Sequence, residues 1–312
     1  MKNNNIINEI ELLKKEKNAI ILAHYYVVPE VQEVADFVGD SLALAHFAQN
    51  VEADIIVFAG VNFMAETAKI LNHDKKVLVP DLESHCSLAD SYPAEDFEKF
   101  LKKHPDHKVI SYINCSADIK ALSTVICTSS NAVDVVESFP KEQKLIFAPD
   151  KNLGSYINSK TGREMVLWDG ACHVHDRLNS DRLLELVQEH PDAKVIAHPE
   201  CKDVILNFAE FIGSTKAMLE YTQKDESQKY IVATETGIIY QMQKASPNKE
   251  FIVLPSDENC NCNDCPYMKL NSLEKIVDCL KNETNELNLD YELMEKAKLP
   301  LLRMFDISFK TK

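Results

Sequence analysis

Ala19-Ile-Ile-Leu-Ala-His24-Tyr25-Tyr26 is a short apolar run that stops on polar and aromatic side chains, and the chain repeats the pattern twice. The second copy is Lys108-Val-Ile-Ser-Tyr112-Ile-Asn114, and the third is Lys194-Val-Ile-Ala-His198-Pro199-Glu200. Continuous apolar runs of this length read as strands buried on both faces, as in parallel sheets. A helical pattern follows each run: Val31, Val34, Ala35 and Val38, then Ile119 and Leu122, then Val204, Ile205 and Phe208. Each stretch closes on a matching hexapeptide. These are Asp36-Phe-Val-Gly-Asp-Ser41, Thr124-Val-Ile-Cys-Thr-Ser129 and Glu210-Phe-Ile-Gly-Ser-Thr215. The final hydroxyl is expected to cap the next helix. Counted from His24, Asn114 and His198, it lies 17, 15 and 17 residues on.

Working outward, two further strand candidates follow in every unit: residues 54–58 and 76–79, 144–147 and 164–167, then 229–233 and 250–254. Strands alternating with helices imply βαβ units, an α/β fold and parallel sheets, whose ligands bind beyond the carboxyl ends of the strands. The expected units are 1–105, completed by the tail 283–312, then 106–192 and 193–282.

Composition narrows the function. The 312 residues are 45% hydrophobic and 27% charged, ordinary for globular domains. A formal net charge of −15 argues against nucleic acid or an anionic membrane as a partner. Met1 to Lys17 lacks the pattern of a signal peptide, and no apolar run approaches the ~20 residues that span a bilayer. A cytoplasmic location is therefore expected, where nine cysteines serve as ligands, redox groups or buried apolar residues rather than disulfides.

A cysteine follows each third strand: Cys86, Cys172, and then the group Cys260, Cys262 and Cys265. Equivalent loops converging on a common axis would bring three thiolates together. Three suit a [4Fe–4S] cluster with one iron left open to act on a substrate oxygen. Repeat spacing favours Cys260 as the third member, four residues after Ser256. A zinc module built on Cys260, Cys262 and Cys265 is a rival reading, although no second C-x-x-C or His pair completes its ligands. Cys115, Cys127, Cys201 and Cys279 read as buried small hydrophobes.

Further motifs stand in order along the chain: His24-Tyr25-Tyr26, Ala35-Asp-Phe-Val-Gly-Asp-Ser41, Gly60-Val-Asn-Phe-Met-Ala-Glu-Thr-Ala-Lys-Ile-Leu71 and Tyr112-Ile-Asn-Cys-Ser116. They continue through Thr128-Ser-Ser-Asn-Ala132, Gly170-Ala-Cys-His-Val-His175, His198-Pro-Glu200, Gly213-Ser-Thr215 and Cys265-Pro-Tyr-Met268. In these motifs the chain resembles the quinolinate synthases along nearly its whole length. That family implies three Rossmann-like αβα domains around a pseudo-threefold axis, with the active site and a [4Fe–4S] cluster at the centre. It favours Cys265 as the ligand beside Cys86 and Cys172. It also implies condensation of iminoaspartate with dihydroxyacetone phosphate to quinolinate, phosphate and water, for NAD biosynthesis. An L-aspartate oxidase or dehydrogenase supplying iminoaspartate would be the partner. Tyr25, where the family often has Asn, and the extra Cys260 depart from its pattern.

Roles follow from that resemblance. His24, Tyr112, Asn114 and His198 would hydrogen-bond substrate carboxylates. Ser41, Ser129 and Thr215, at helix N-termini, would hold anions in place of arginine, which occurs only at Arg163, Arg177, Arg182 and Arg303. Glu200 is the expected general base, with Tyr26 as its partner in proton transfer and His198 beside them. His175 is placed near the cluster. A hydro-lyase acting on another small carboxylic acid through the same open iron is the second rival.

Overall fold

The computed structural model describes residues 2–256 and 263–309. Twelve strands form three four-stranded sheets, each parallel throughout. The first contains β1 (Ala19–His24), β2 (Phe37–Gly39), β3 (Ile55–Ala59) and β4 (Lys76–Leu78), in the order β2-β1-β3-β4. The second has β5 (Lys108–Tyr112), β6 (Val125–Cys127), β7 (Leu145–Ala148) and β8 (Val166–Leu167) in the order β6-β5-β7-β8. The third has β9 (Lys194–Ala197), β10 (Phe211–Ile212), β11 (Lys229–Ala233) and β12 (Glu250–Val253) in the order β10-β9-β11-β12. These are three Rossmann-like αβα units. Among the described residues no helix is long and apolar enough to cross a membrane.

Each unit holds four strands where the sequence patterns suggested three. The fourth lies inside the hexapeptide, and only two or three residues of it pair, too few to show a period. Val38, expected on a helix, belongs to β2 because the helix Pro29–Val34 ends at Ala35. The first residue of each hexapeptide explains the recurrence. Asp36 Oδ2 accepts the N–H of Ile21 at 2.7 Å, Thr124 Oγ1 that of Val109 at 3.0 Å, and Glu210 Oε2 that of Val195 at 2.7 Å. One side chain in each unit thus fixes the register of the edge strand against the central one.

The first two units share a continuous core, which includes Ile21, Val57, Ile110 and Phe147. The third unit packs separately on its two faces, around Ile205 and Ile231 on one and around Met218 and Tyr230 on the other. The C-terminal segment ties the first two together. Helix Leu273–Asn282, assigned from sequence to the third unit, packs on the helix Lys2–Glu16 and on β3. Residues 285–287 hydrogen-bond along the edge of β4. Helix Tyr291–Phe309 lies against helices Ala117–Leu122 and Asn62–Leu71 and against β6, so the tail reaches both of the first two units.

Candidate functional site

Register decides which residues are equivalent. His24 pairs with Gly39 and Tyr112 with Cys127, and His198 follows the Ala197↔Ile212 pair. Tyr112, rather than Asn114, is therefore the counterpart of His24 and His198. Counted from these three, the hydroxyls Ser41, Ser129 and Thr215 each lie 17 residues on. Two residues beyond each come Tyr26, Asn114 and Glu200, forming a second equivalent set.

All nine of these side chains line one cleft, together with Cys86, Cys172 and Cys265. Its free volume is about 690 Å³, open solvent at the mouth included. Parallel strands put their carboxyl ends on one side of a sheet, which is why chemistry spread over the chain converges here. Cys260 and Cys262 lie outside the described residues. Cys115, Cys127, Cys201 and Cys279 are fully buried in cores. Arg163 is spent on backbone carbonyls, including those of Phe139, Pro140 and Lys141.

The hydroxyls do not cap their helices. Asp40 caps the helix Ser41–Ala48 by accepting the N–H of Ala43 at 2.9 Å, and Ser214 caps Thr215–Lys224 through Ala217. In the second unit the helix begins after Asn131. In the first and third units a neighbour thus holds the helix end, and Ser41 and Thr215 are left to face the cleft.

The floor of the cleft is a hydrogen-bonded chain. Glu200 Oε2 lies 2.7 Å from His175 Nδ1, His175 Nε2 lies 2.9 Å from Thr234 Oγ1, and Thr234 Oγ1 lies 2.9 Å from the Tyr26 hydroxyl. The Tyr26 hydroxyl also meets Thr215 Oγ1 at 2.8 Å. His198 Nε2 reaches Ser129 Oγ at 3.1 Å, and its ring stacks on His175 with centroids 4.6 Å apart. Thr234 was not expected, and His175 had no assigned partner. Thr234 directly follows the end of β11, whereas His175 sits on the short helix His173–Asp176.

Burial sets the protonation states. It pushes His24 and His198 down to about 3, so both are neutral. It pushes the Tyr26 and Tyr112 hydroxyls well above their ordinary values, so both keep their protons. Burial alone would raise Glu200, but His175, 2.7 Å away, and its other polar neighbours outweigh it and hold the carboxyl below its usual value. Glu200 is thus held as a carboxylate anion.

The first and third units meet at Tyr26. Gln32 Nε2 donates to the carbonyls of Tyr25 at 2.9 Å and of Gly237 at 3.2 Å. Gly237 lies so close that a Cβ there would stand 2.6 Å from Tyr26 Cα and 2.8 Å from Tyr25 O.

The donor set fits a metal. Burial raises Cys86 to about 12 and Cys265 to about 11, and Cys172 rises well above its usual value. Cys86 is further raised by Cys265, and Cys172 by Cys86, as neighbouring negative charges would do. A cation reverses that balance and deprotonates them. Ligating atoms of Cys172, His175 and Glu200 also lie within 4.8 Å of one another.

The profile of the family described as NadA, quinolinate synthetase A protein, matches residues 8–306. The quinolinate synthase of Chloroherpeton thalassium is 57% identical over 304 residues, covering 97% of this chain and 94% of that protein. That of Synechocystis sp. PCC 6803 is 56% identical over 303 residues, covering 97% and 95%.

Proposed function

The chain belongs to the quinolinate synthetase A family, and from that premise we propose that it is a quinolinate synthase, a transferase-type condensing and dehydrating enzyme of NAD biosynthesis in the cytoplasm. Its substrates would be iminoaspartate, drawn from an L-aspartate oxidase or dehydrogenase, and dihydroxyacetone phosphate. Its products would be quinolinate, phosphate and water. The observation that carries the reading is the meeting of three register-equivalent polar sets with three thiols in one cleft.

Cys86, Cys172 and Cys265 would hold a [4Fe–4S] cluster, soft thiolates being its natural ligands. When bound, the cluster supplies a Lewis-acid iron that polarises a substrate oxygen. The chain's own residues do the rest. Ser41, Ser129 and Thr215 offer hydroxyls to substrate anions in place of arginine. Asn114 Oδ1 is buried with no hydrogen-bond partner among the described residues, which suits it to accept from a substrate N–H or O–H. Neutral His24 and His198 can donate to a carboxylate without a competing charge. Glu200 accepts a substrate proton, and the bond from His175 then shares the charge change. Tyr26, protonated and tied to Glu200 through Thr234 and His175, returns a proton to the neighbouring carbon.

A second reading, a single metal on Cys172, His175 and Glu200, is favoured by their mutual approach within 4.8 Å. Anaerobic purification separates the two. The cluster predicts a brown protein with about four irons and four sulfides per chain, which forms quinolinate from iminoaspartate and dihydroxyacetone phosphate. Cys265→Ala should then abolish iron binding, while Cys260→Ala should leave it intact. A colourless protein with one stoichiometric zinc, or an active metal-free one, overturns the proposal.

A further inference from the structure

Ala59, Ala148 and Ala233 occupy the same register position, since they pair with Ala23, Ser111 and Ala197 respectively. The residue two places further on is Val61 in the first unit, Asp150 in the second and Glu235 in the third. Asp150 and Glu235 are fully buried. Asp150 Oδ2 accepts the N–H of Cys172 at 3.0 Å, while its Oδ1 holds the N–H of Leu153 at 2.8 Å. Glu235 Oε1 accepts the N–H of Cys265, also at 3.0 Å, and pairs with Lys269 Nζ at 2.8 Å. Its Oε2 accepts the N–H of Gly237 at 2.6 Å.

The two cysteines reach these acceptors along loops of different length. Leu167 and Val253 are register equivalents, through Phe147 and Val232. Cys172 follows five residues after the first, and Cys265 twelve residues after the second. Spacing therefore does not select the third cysteine. We propose that Asp150 and Glu235 are positioning residues that seat the main chain of Cys172 and Cys265, and that Glu235 is what makes Cys265 the third ligand. Lys269 extends the seat, donating from Nζ to the Tyr26 carbonyl at 2.8 Å, so one ion pair fixes both a thiol and a proton-transfer side chain. Val61 offers no such acceptor.

The inference rests on the iron–sulfur reading above, and its test separates the two. Wild type, Asp150→Asn and Glu235→Gln are each reconstituted anaerobically with ferrous iron and sulfide. Iron per chain, the rate of iron loss to ferrozine and the electron paramagnetic resonance spectrum of the reduced protein are then measured. Wild type should bind about four irons. Each variant should lose iron about 10–100-fold faster, the usual cost of removing an outer-shell partner, with an altered spectrum. Glu235→Asp, which keeps the charge but withdraws the oxygen from Cys265, should show the same acceleration and serves if Gln disrupts folding. Variants that retain iron at the wild-type rate overturn the inference alone. So do variants that lose iron faster with an unchanged spectrum and a fall only in thermal stability, since they make the role structural. Wild type that binds no iron overturns the underlying reading, and the inference with it.

Discussion

Gly237→Ala tests whether the junction between the first and third units sets the rate. The new Cβ would stand 2.6 Å from Tyr26 Cα and 2.8 Å from Tyr25 O, and both are backbone atoms that cannot rotate away. Carbon atoms settle at about 3.5–4.0 Å, so the strand end carrying Tyr26 must move by roughly 1 Å. Overpacking of this kind costs about 1–3 kcal/mol of stability. If Tyr26 moves the proton as proposed, a displacement of that size costs about 100-fold in rate, or about 2.7 kcal/mol of barrier. The assay is anaerobic quinolinate formation by the iron-loaded enzyme, read beside urea unfolding. Gly162→Ala is the control: nothing stands within 4 Å of its added Cβ, but φ is +65°, so it should cost about 1 kcal/mol of stability and leave the rate alone. A folded Gly237→Ala enzyme working within twofold of wild type would refute the reasoning.

Ser41→Ala should change unfolding free energy by less than about 0.5 kcal/mol yet lower kcat/KM, because Asp40 caps the helix. Ser214→Ala should do the reverse, costing about 1 kcal/mol while leaving turnover near wild type, since it caps Thr215–Lys224. Acid should destabilise the metal-free chain between pH 6.5 and 5. His24 and His198 have folded values near 3, below the unfolded 6.5, so their stabilisation is present above pH 6.5 and is lost as pH falls. Each surrenders about 2 kcal/mol by pH 5. Asp150, raised to about 8 by burial and Glu200, offsets part of that loss. Urea titrations showing equal or greater stability at pH 5 would contradict this.

Much of this site was legible in the sequence because parallel α/β units repeat their strand ends. The apolar runs before His24, Tyr112 and His198 were visible, as was the hydroxyl that closes each hexapeptide. What stayed hidden had physical causes. β10 pairs only two residues, too short for a periodic signal. The equivalence of Tyr112 with His24 needed register, because Tyr112 and Asn114 are both polar and stand two residues apart. Helix capping was misassigned by one residue, since Asp40 and Ser41, like Ser214 and Thr215, are both plausible caps and only geometry chooses. Thr234, Asp150 and Glu235 matter through partners far away in the chain, and a single sequence carries no record of those contacts.

The separation between helix cap and cleft hydroxyl has a consequence for how such a protein can change. At Asp40–Ser41 and Ser214–Thr215, adjacent residues divide two duties, one holding the scaffold and the other addressing whatever enters the cleft. A lineage can therefore sample new side chains at 41 or 215 without first finding a compensating stabiliser, because foldedness is underwritten next door. The first and third copies of the βαβ plan then behave as independently adjustable sockets. That is a structural route by which an ancestral ring of like residues could diverge into His24, Tyr112 and His198, or into Tyr26, Asn114 and Glu200, without losing its shape.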